Sequence, residues 1–142
     1  MAKEFQNVRL YALALGGLGQ CYLAIGQNEK SYECFQNALS RLSTFDPLNT
    51  STFTVNQALI DAHRGHKEKA LSKLIFDESS LSFHPFEYGK LLCLKAKVYK
   101  ILGMKAEAMK AYHSAKMLRD KFELHPTSEL CKMLSDLEKT II

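Results

Sequence analysis

Three glycines recur at a near-constant interval and set the scale of what this chain can build. They are Gly26 in YLAIGQNEK, Gly65 in DAHRGHKEK and Gly103 in YKILGMKAE, 39 and 38 residues apart. A second series runs through Pro47, Pro85 and Pro126, 38 and 41 residues apart. Self-similarity at such a period is the mark of stacked supersecondary units, each unable to bury its apolar face alone. The unit reads as helix, Gly turn, helix, then a polar loop. The loops FDPLNTS, ESSLSFHPF and ELHPTS mix Pro with Ser, Thr, Asn or Asp, the residues of turns and helix N-caps.

Apolar spacing gives the same period. Leu15, Leu18, Tyr22 and Ile25 form one stripe before Gly26, and Phe35, Ala38, Leu39 and Leu42 form another after it. Leu92, Ala96, Tyr99 and Leu102 precede Gly103, and Ala108, Ala111, Tyr112 and Ala115 follow it. Each stripe asks for a neighbouring helix. Tyr99 and Tyr112 are expected in the core, and Ala38, Ala70, Ala108 and Ala115 are expected where helices approach closely. Only ten residues are Pro or Gly, too few for a turn-rich sandwich or barrel. The expectation is all-α, an α-α superhelix of about seven antiparallel helices with no strand. The spans are Glu4–Ile25, Asn28–Thr44, Ser51–Arg64, Lys67–Phe76, Phe86–Leu102, Lys105–Phe122 and Thr127–Ile141. In the last, Leu130, Met133, Leu134, Leu137 and Ile141 make an apolar face opposite Lys132, Asp136 and Lys139, as a capping helix requires.

These residues resemble the tetratricopeptide repeat, a helix pair with Trp or Leu, Leu-Gly, Tyr, Gly, Ala, Phe and Ala at set positions. The first unit offers Leu15, Leu18-Gly19, Tyr22, Gly26, Phe35 and Ala38-Leu39, with Ser31 in place of the usual Ala. The third offers Leu92, Ala96, Tyr99, Gly103, Ala108, Tyr112 and Ala115. The second keeps Ala58, Gly65, Ala70 and Leu74, but has Asp61 for the Tyr and Asp77 for the late Ala. The resemblance covers about residues 10–122, with a period one helical turn above the standard 34. It implies a single domain over 1–142, with repeats at about 10–46, 51–81 and 85–123 and a capping helix at about 127–142.

No constellation points to catalysis. The histidines His63, His66, His84, His113 and His125 form no HExxH or Cys/His cluster, so no metal is expected. GGLGQ lacks a preceding strand and the full phosphate-loop pattern, which leaves close helix packing as its meaning. No GxSxG elbow is present. Asp77-Glu78 reads as a solvated helix end. Cys21, Cys34, Cys93 and Cys131 contain no CxxC pair, and all four read as small reduced core residues. Neither an enzyme nor a cofactor is expected.

By resemblance, the first helix of each pair lines a concave groove. The positions are Leu13, Gly17, Gln20 and Ala24, then Thr52, Asn56, Leu59 and His63, then Lys90, Leu94, Lys97 and Ile101. The groove residues expected to bind a peptide are Gln20, Asn56, Leu59, His63, Lys90, Leu94, Lys97 and Ile101. The family's clamp for an acidic C-terminal peptide of a chaperone needs Lys and Asn, then Asn, then Lys and Arg. Asn56 and Lys90 match, whereas Gly16, Gln20 and Leu94 do not, which speaks against chaperone docking. Residues 88–122 hold nine basic side chains against Glu107 and Asp120, a local charge of +7 in a chain of +4. The expected partner is therefore another protein, presenting an extended or helical segment of acidic character to an adaptor or scaffold. The alternative is a nucleic-acid-associated helical repeat using the Lys-rich third unit.

Leu10 to Asn28 carries no charge, but Gln20, Gln27, Asn28 and four glycines argue against a membrane span. No signal-peptide pattern opens the chain, so the cytoplasm or nucleus is expected. The first helix begins almost at Met1 with no capping segment visible. The expectation is that the chain is part of a longer solenoid or self-associates through this helix.

Overall fold

The computed structural model describes residues 2–42, 46–122 and 128–141. Its elements are α1 (Ala2–Ala24), α2 (Asn28–Leu42), α3 (Pro47–His63), α4 (Lys67–Ser72), a 3-10 helix (Ser79–Phe83), α5 (Pro85–Ile101), α6 (Lys105–Lys121) and α7 (Glu129–Ile141). No strand occurs among the described residues. The expected end of the second helix at Thr44, and His125, Pro126 and Thr127 before the last, lie outside them.

The three spaced glycines end α1, α3 and α5 by the same device. Gly26, Gly65 and Gly103 have φ of 82°, 79° and 76°, a left-handed conformation that L side chains adopt only at a cost. Each turn closes with two backbone bonds. Gln27 N–H donates to the Tyr22 carbonyl and Gly26 N–H to Leu23, with His66 to Asp61 and Gly65 to Ala62 in the second turn. Met104 to Tyr99 and Gly103 to Lys100 repeat it in the third. This is the Schellman cap, which satisfies carbonyls left orphaned at a helix end.

Each turn folds a helix back on its predecessor, giving the pairs α1–α2, α3–α4 and α5–α6; α3 packs on α2 and on α5, and α7 packs on α5 and α6. Three apolar clusters result. Ala12, Phe35, Ala38, Leu42, Phe53 and Ile60 fill the first. Val55, Ala58, Ala70, Leu74, Leu81, Leu91 and Val98 fill the second. Leu92, Ala96, Ala108, Tyr112, Ala115, Leu130, Leu134 and Leu137 lie in the third. Fully burying a side chain such as Phe35 contributes about 1.5–3 kcal/mol.

Several expectations need correction. The stripe Leu15, Leu18, Tyr22, Ile25 is not the core face of α1: Leu18 is 45% exposed and Ile25 67%. The buried face is Ala12, Gly16 and Gly19. A Cβ on Gly16 would lie 2.0 Å from the Phe53 ring, and one on Gly19 would lie 3.0 Å from Phe35. The two phenyl rings occupy the volume, so the helix presents its smallest residues inward. Because α1 is apolar nearly all round from Leu10 onward, periodicity alone could not choose between its faces. Tyr99 is only half-buried, whereas Tyr112 is buried. Among the cysteines Cys93 is buried, Cys34 and Cys131 are half-buried, and Cys21 is exposed. Burial pushes the Cys93 thiol up to about 12, although Lys97 pulls the other way.

Two helix boundaries also move. α3 starts four residues earlier than expected, with Pro47 in its first turn and Asp46 as N-cap, accepting from Asn49 N–H at 3.2 Å. α4 stops four residues early. Beyond it Leu74 is buried and Phe76 packs against the same cluster, while Ile75 is 85% exposed. Residues two apart lie on opposite sides of a helix but on one side of an extended chain. Unwinding therefore lets Leu74 and Phe76 reach one core.

The departures from the repeat pattern have structural roles. Ser31, fully buried, donates its hydroxyl to the Gly19 carbonyl at 2.6 Å and ties α2 to α1. Asp61 is 1% exposed, and its Oδ2 meets Lys73 Nζ at 2.6 Å, joining α3 to the residue after α4. Gln57 donates to Gln36 Oε1 at 3.0 Å across the α2–α3 junction.

Candidate functional site: a groove across the first helices

The N-terminal halves of α3 and α5, the middle of α1 and the start of α7 enclose a cavity of about 360 Å³. α1 contributes Leu13, Gly17 and Gln20; α3 contributes Leu48, Asn49, Thr52, Phe53 and Asn56. α5 contributes Glu87, Lys90, Leu91 and Leu94, and α7 adds Glu129 and Met133. The three-and-four spacing within each helix turns one face of each toward this space.

Of the eight groove residues expected to bind a peptide, Gln20, Asn56, Lys90 and Leu94 line the cavity. Leu59, His63, Lys97 and Ile101 lie one and two turns further along α3 and α5 and do not line it. Leu59 is half-buried against the second cluster, Lys97 is half-buried, and His63 and Ile101 are exposed. Ala24 is exposed at the end of α1 and is likewise not in the lining.

Asn56 is the most enclosed polar group of the wall, 4% exposed. Its amide donates to the Thr52 carbonyl at 3.0 Å, one turn back in its own helix. That bond uses one of two donor hydrogens and leaves the acceptor oxygen of the side chain uncommitted to it. The Thr52 hydroxyl donates to the Leu48 carbonyl at 2.9 Å. Asn49 is held by Asp46, its amide donating to Oδ2 at 2.7 Å. Arg9 from α1 reaches the same oxygen at 3.0 Å. Burial favours the neutral form of Asp46, but the bonds from Asn49 and Arg9 outweigh it and hold the carboxyl below its ordinary range.

The lysine of the lining stands beside acidic side chains. Lys90 Nζ lies 3.0 Å from Glu129 and 3.5 Å from Glu87, and over the Phe86 ring at 5.3 Å. One ammonium thus stands between two carboxylates, both exposed. Glu87 is not among the expected positions, although it lies three residues before Lys90 on the same face of α5. Glu129 and Met133 were not foreseen because the tail reads as a cap, and its N-terminal turn reaches the groove only through its packing on α5. A Cβ on Gly89 would lie 2.7 Å from the Leu130 side chain, so this glycine sets that close approach.

A second cavity of about 310 Å³ lies on another face of α5, with Glu78, Tyr88, Lys95, Tyr99, Glu107 and Lys110 among its walls. Here Lys95 bridges Glu78 at 2.9 Å and Tyr88 donates to the same carboxylate at 3.2 Å. Burial and then Glu78 push the Tyr88 phenol up to about 12. Among the described residues no group of three His, Cys, Asp or Glu could hold a metal ion. Among them also, no helix is long and apolar enough to cross a membrane.

The model of the tetratricopeptide repeat matches residues 12–41 and 89–121. The match falls on two of the three helix pairs, α1–α2 and α5–α6, which are similar to tetratricopeptide repeats and keep more of the motif than the pair between them. The pair between them, with Asp61 and the shortened α4, is not matched. Tetratricopeptide repeats generally mediate protein–protein interaction and are typically non-catalytic. No curated protein and no solved structure matches the chain.

Proposed function

We propose that the chain is one protein-binding domain over residues 1–142, an adaptor or scaffold element that holds an extended segment of another protein in the groove of its first helices. The observation that carries this reading is Asn56. It is a nearly buried amide at the centre of a wall whose neighbours are Leu13, Leu48, Leu94 and Met133. A side-chain amide can donate to and accept from one peptide unit. The apolar neighbours take the alternate side chains of an extended strand, which carry the affinity once water is excluded. Gln20, exposed on the opposite side, adds a second amide.

An acidic side chain on the segment would engage Lys90 by replacing Glu129. That exchange is cheap, because exposed ion pairs contribute about 0–1 kcal/mol. Peptides selected by display against the whole chain test the reading. Asn56→Ala and Leu94→Glu should each weaken the selected peptides by at least about tenfold while the helical circular dichroism stays unchanged. Glu129→Gln should strengthen acidic peptides and leave neutral ones alone. Peptides that bind all three variants equally would place recognition outside the groove.

A further inference from the structure

We propose that α1 is a self-association surface, on which a second copy of this chain docks its own α1 antiparallel about a two-fold axis. The surface is the face of α1 opposite the core. Leu10, Tyr11, Ala14, Leu18, Cys21 and Ile25 are all exposed there, with Leu10 at 53%, Tyr11 at 55% and Ile25 at 67%. Between Leu10 and Asn28 the chain has no charged residue. Residues 11, 14, 18, 21 and 25 alternate steps of three and four, the spacing that lets one helix seat in another. Among the described residues the most exposed large apolar side chains elsewhere, Ile75, Phe83 and Met117, lie in the segment after α4, in the 3-10 helix and on α6. Contiguity, not exposure alone, separates α1 from them.

Two observations select a second copy as the occupant. The first concerns head-to-tail stacking on α7. Among its described residues α7 turns Leu130, Leu134 and Leu137 inward and presents Lys132, Asp136 and Lys139 outward. Stacking on that face would set the apolar α1 stripe against polar side chains, which favours an isologous contact between copies. The second is the distribution of charge around the stripe. Arg41 sits over the Tyr11 ring at 5.0 Å at one end. Glu29 and Glu33, with Lys30 over Tyr22, lie at the other. An antiparallel pair sets Arg41 of each copy beside the acidic end of the other, whereas a parallel pair sets like beside like.

The stripe is about 24 Å long at 1.5 Å per residue. A helix face of that length buries roughly 1,000 Å² in total, at the lower edge of specific interfaces, so the dimer is a weak one.

Sedimentation velocity of the full chain from about 1 to 200 µM tests this, a span suited to micromolar affinity. The mass should rise from 16.1 kDa toward twice that value. Leu18→Glu and Ile25→Glu, at already exposed positions, should each raise the dissociation constant by at least about tenfold with unchanged helical signal. Arg41→Glu should weaken the dimer, and adding Glu29→Arg with Glu33→Arg should restore it. A chain that stays monomeric throughout overturns the proposal, including one whose α1 face is covered by a different protein. So does a dimer indifferent to Leu18→Glu, growth beyond a dimer, or a charge swap that fails to restore. None of these outcomes bears on the groove, whose test uses peptides and other residues.

Discussion

Replacing Lys73 with Met should destabilise the chain far more than a lysine substitution ordinarily does. Its ammonium is 2.6 Å from Asp61 Oδ2, and the Asp61 side chain is 1% exposed. At that distance an effective dielectric of 20 gives a gross attraction of about 6 kcal/mol. Most of this offsets the desolvation of the two charges, so the pair adds little by itself. Removing one partner is different, because the other charge stays buried without compensation. Asp61 has no slack to absorb the loss, since its Oδ1 is buried with no hydrogen-bond partner among the described residues. Lys73→Met should therefore cost about 3–5 kcal/mol. Asp61→Leu with Lys73→Met should recover to within about 1 kcal/mol of the parent, because no charge is left stranded. Urea unfolding followed by circular dichroism gives all the corners of the double-mutant cycle, provided the slopes agree. A cost below about 1 kcal/mol for Lys73→Met would falsify the view that this carboxylate is cut off from water.

Asp46→Ala should cost about 1–2 kcal/mol at neutral pH, from the lost cap of α3. The Asp46 carboxyl titrates below its ordinary value, so its contribution is present above about pH 3.9 and fades as the pH falls through the folded value; acid titration of both proteins should show the gap closing. Gly103→Val should lose about 2 kcal/mol or more by thermal unfolding, because a β-branched residue must enter the left-handed region. Tyr112→Ala should cost about 3–5 kcal/mol in urea. The half-buried Tyr99→Ala should cost clearly less, and the reverse order would mean the third cluster is wrongly drawn.

The period, the turns and the pairing of helices were legible because they follow from local chemistry. Gly26, Gly65 and Gly103 can be read as helix stops from sequence alone, and the left-handed backbone at all three gives the reason. The alanines at 38, 70, 108 and 115 are fully buried at helix contacts for the same kind of reason, small volume at fixed spacing. Asp46-Pro47 reads as part of a loop in the sequence because Asp and Pro also make turns; only the chain beyond them tells a cap from a turn. The face of α1 was not legible, since what decides it is the volume of Phe35 and Phe53, both on later helices. The groove was half legible. Asn56, Lys90 and Leu94 follow from repeat register, but Glu129 depends on how α7 lies across α5. The charge neighbours of Lys90 therefore required the three-dimensional arrangement.

That dependence on α7 has a consequence for synthesis. Each of the pairs α1–α2, α3–α4 and α5–α6 joins neighbours in sequence across a short turn, so each can close as soon as it leaves the ribosome, first pair first. The wall carrying Glu129 and Met133 is made after all of them. A nascent chain holding only α1 to α6 thus displays a groove open along one side, with Gly89 uncovered where Leu130 will sit. The side of the groove formed by α7 is in place only once that helix docks on α5 and α6.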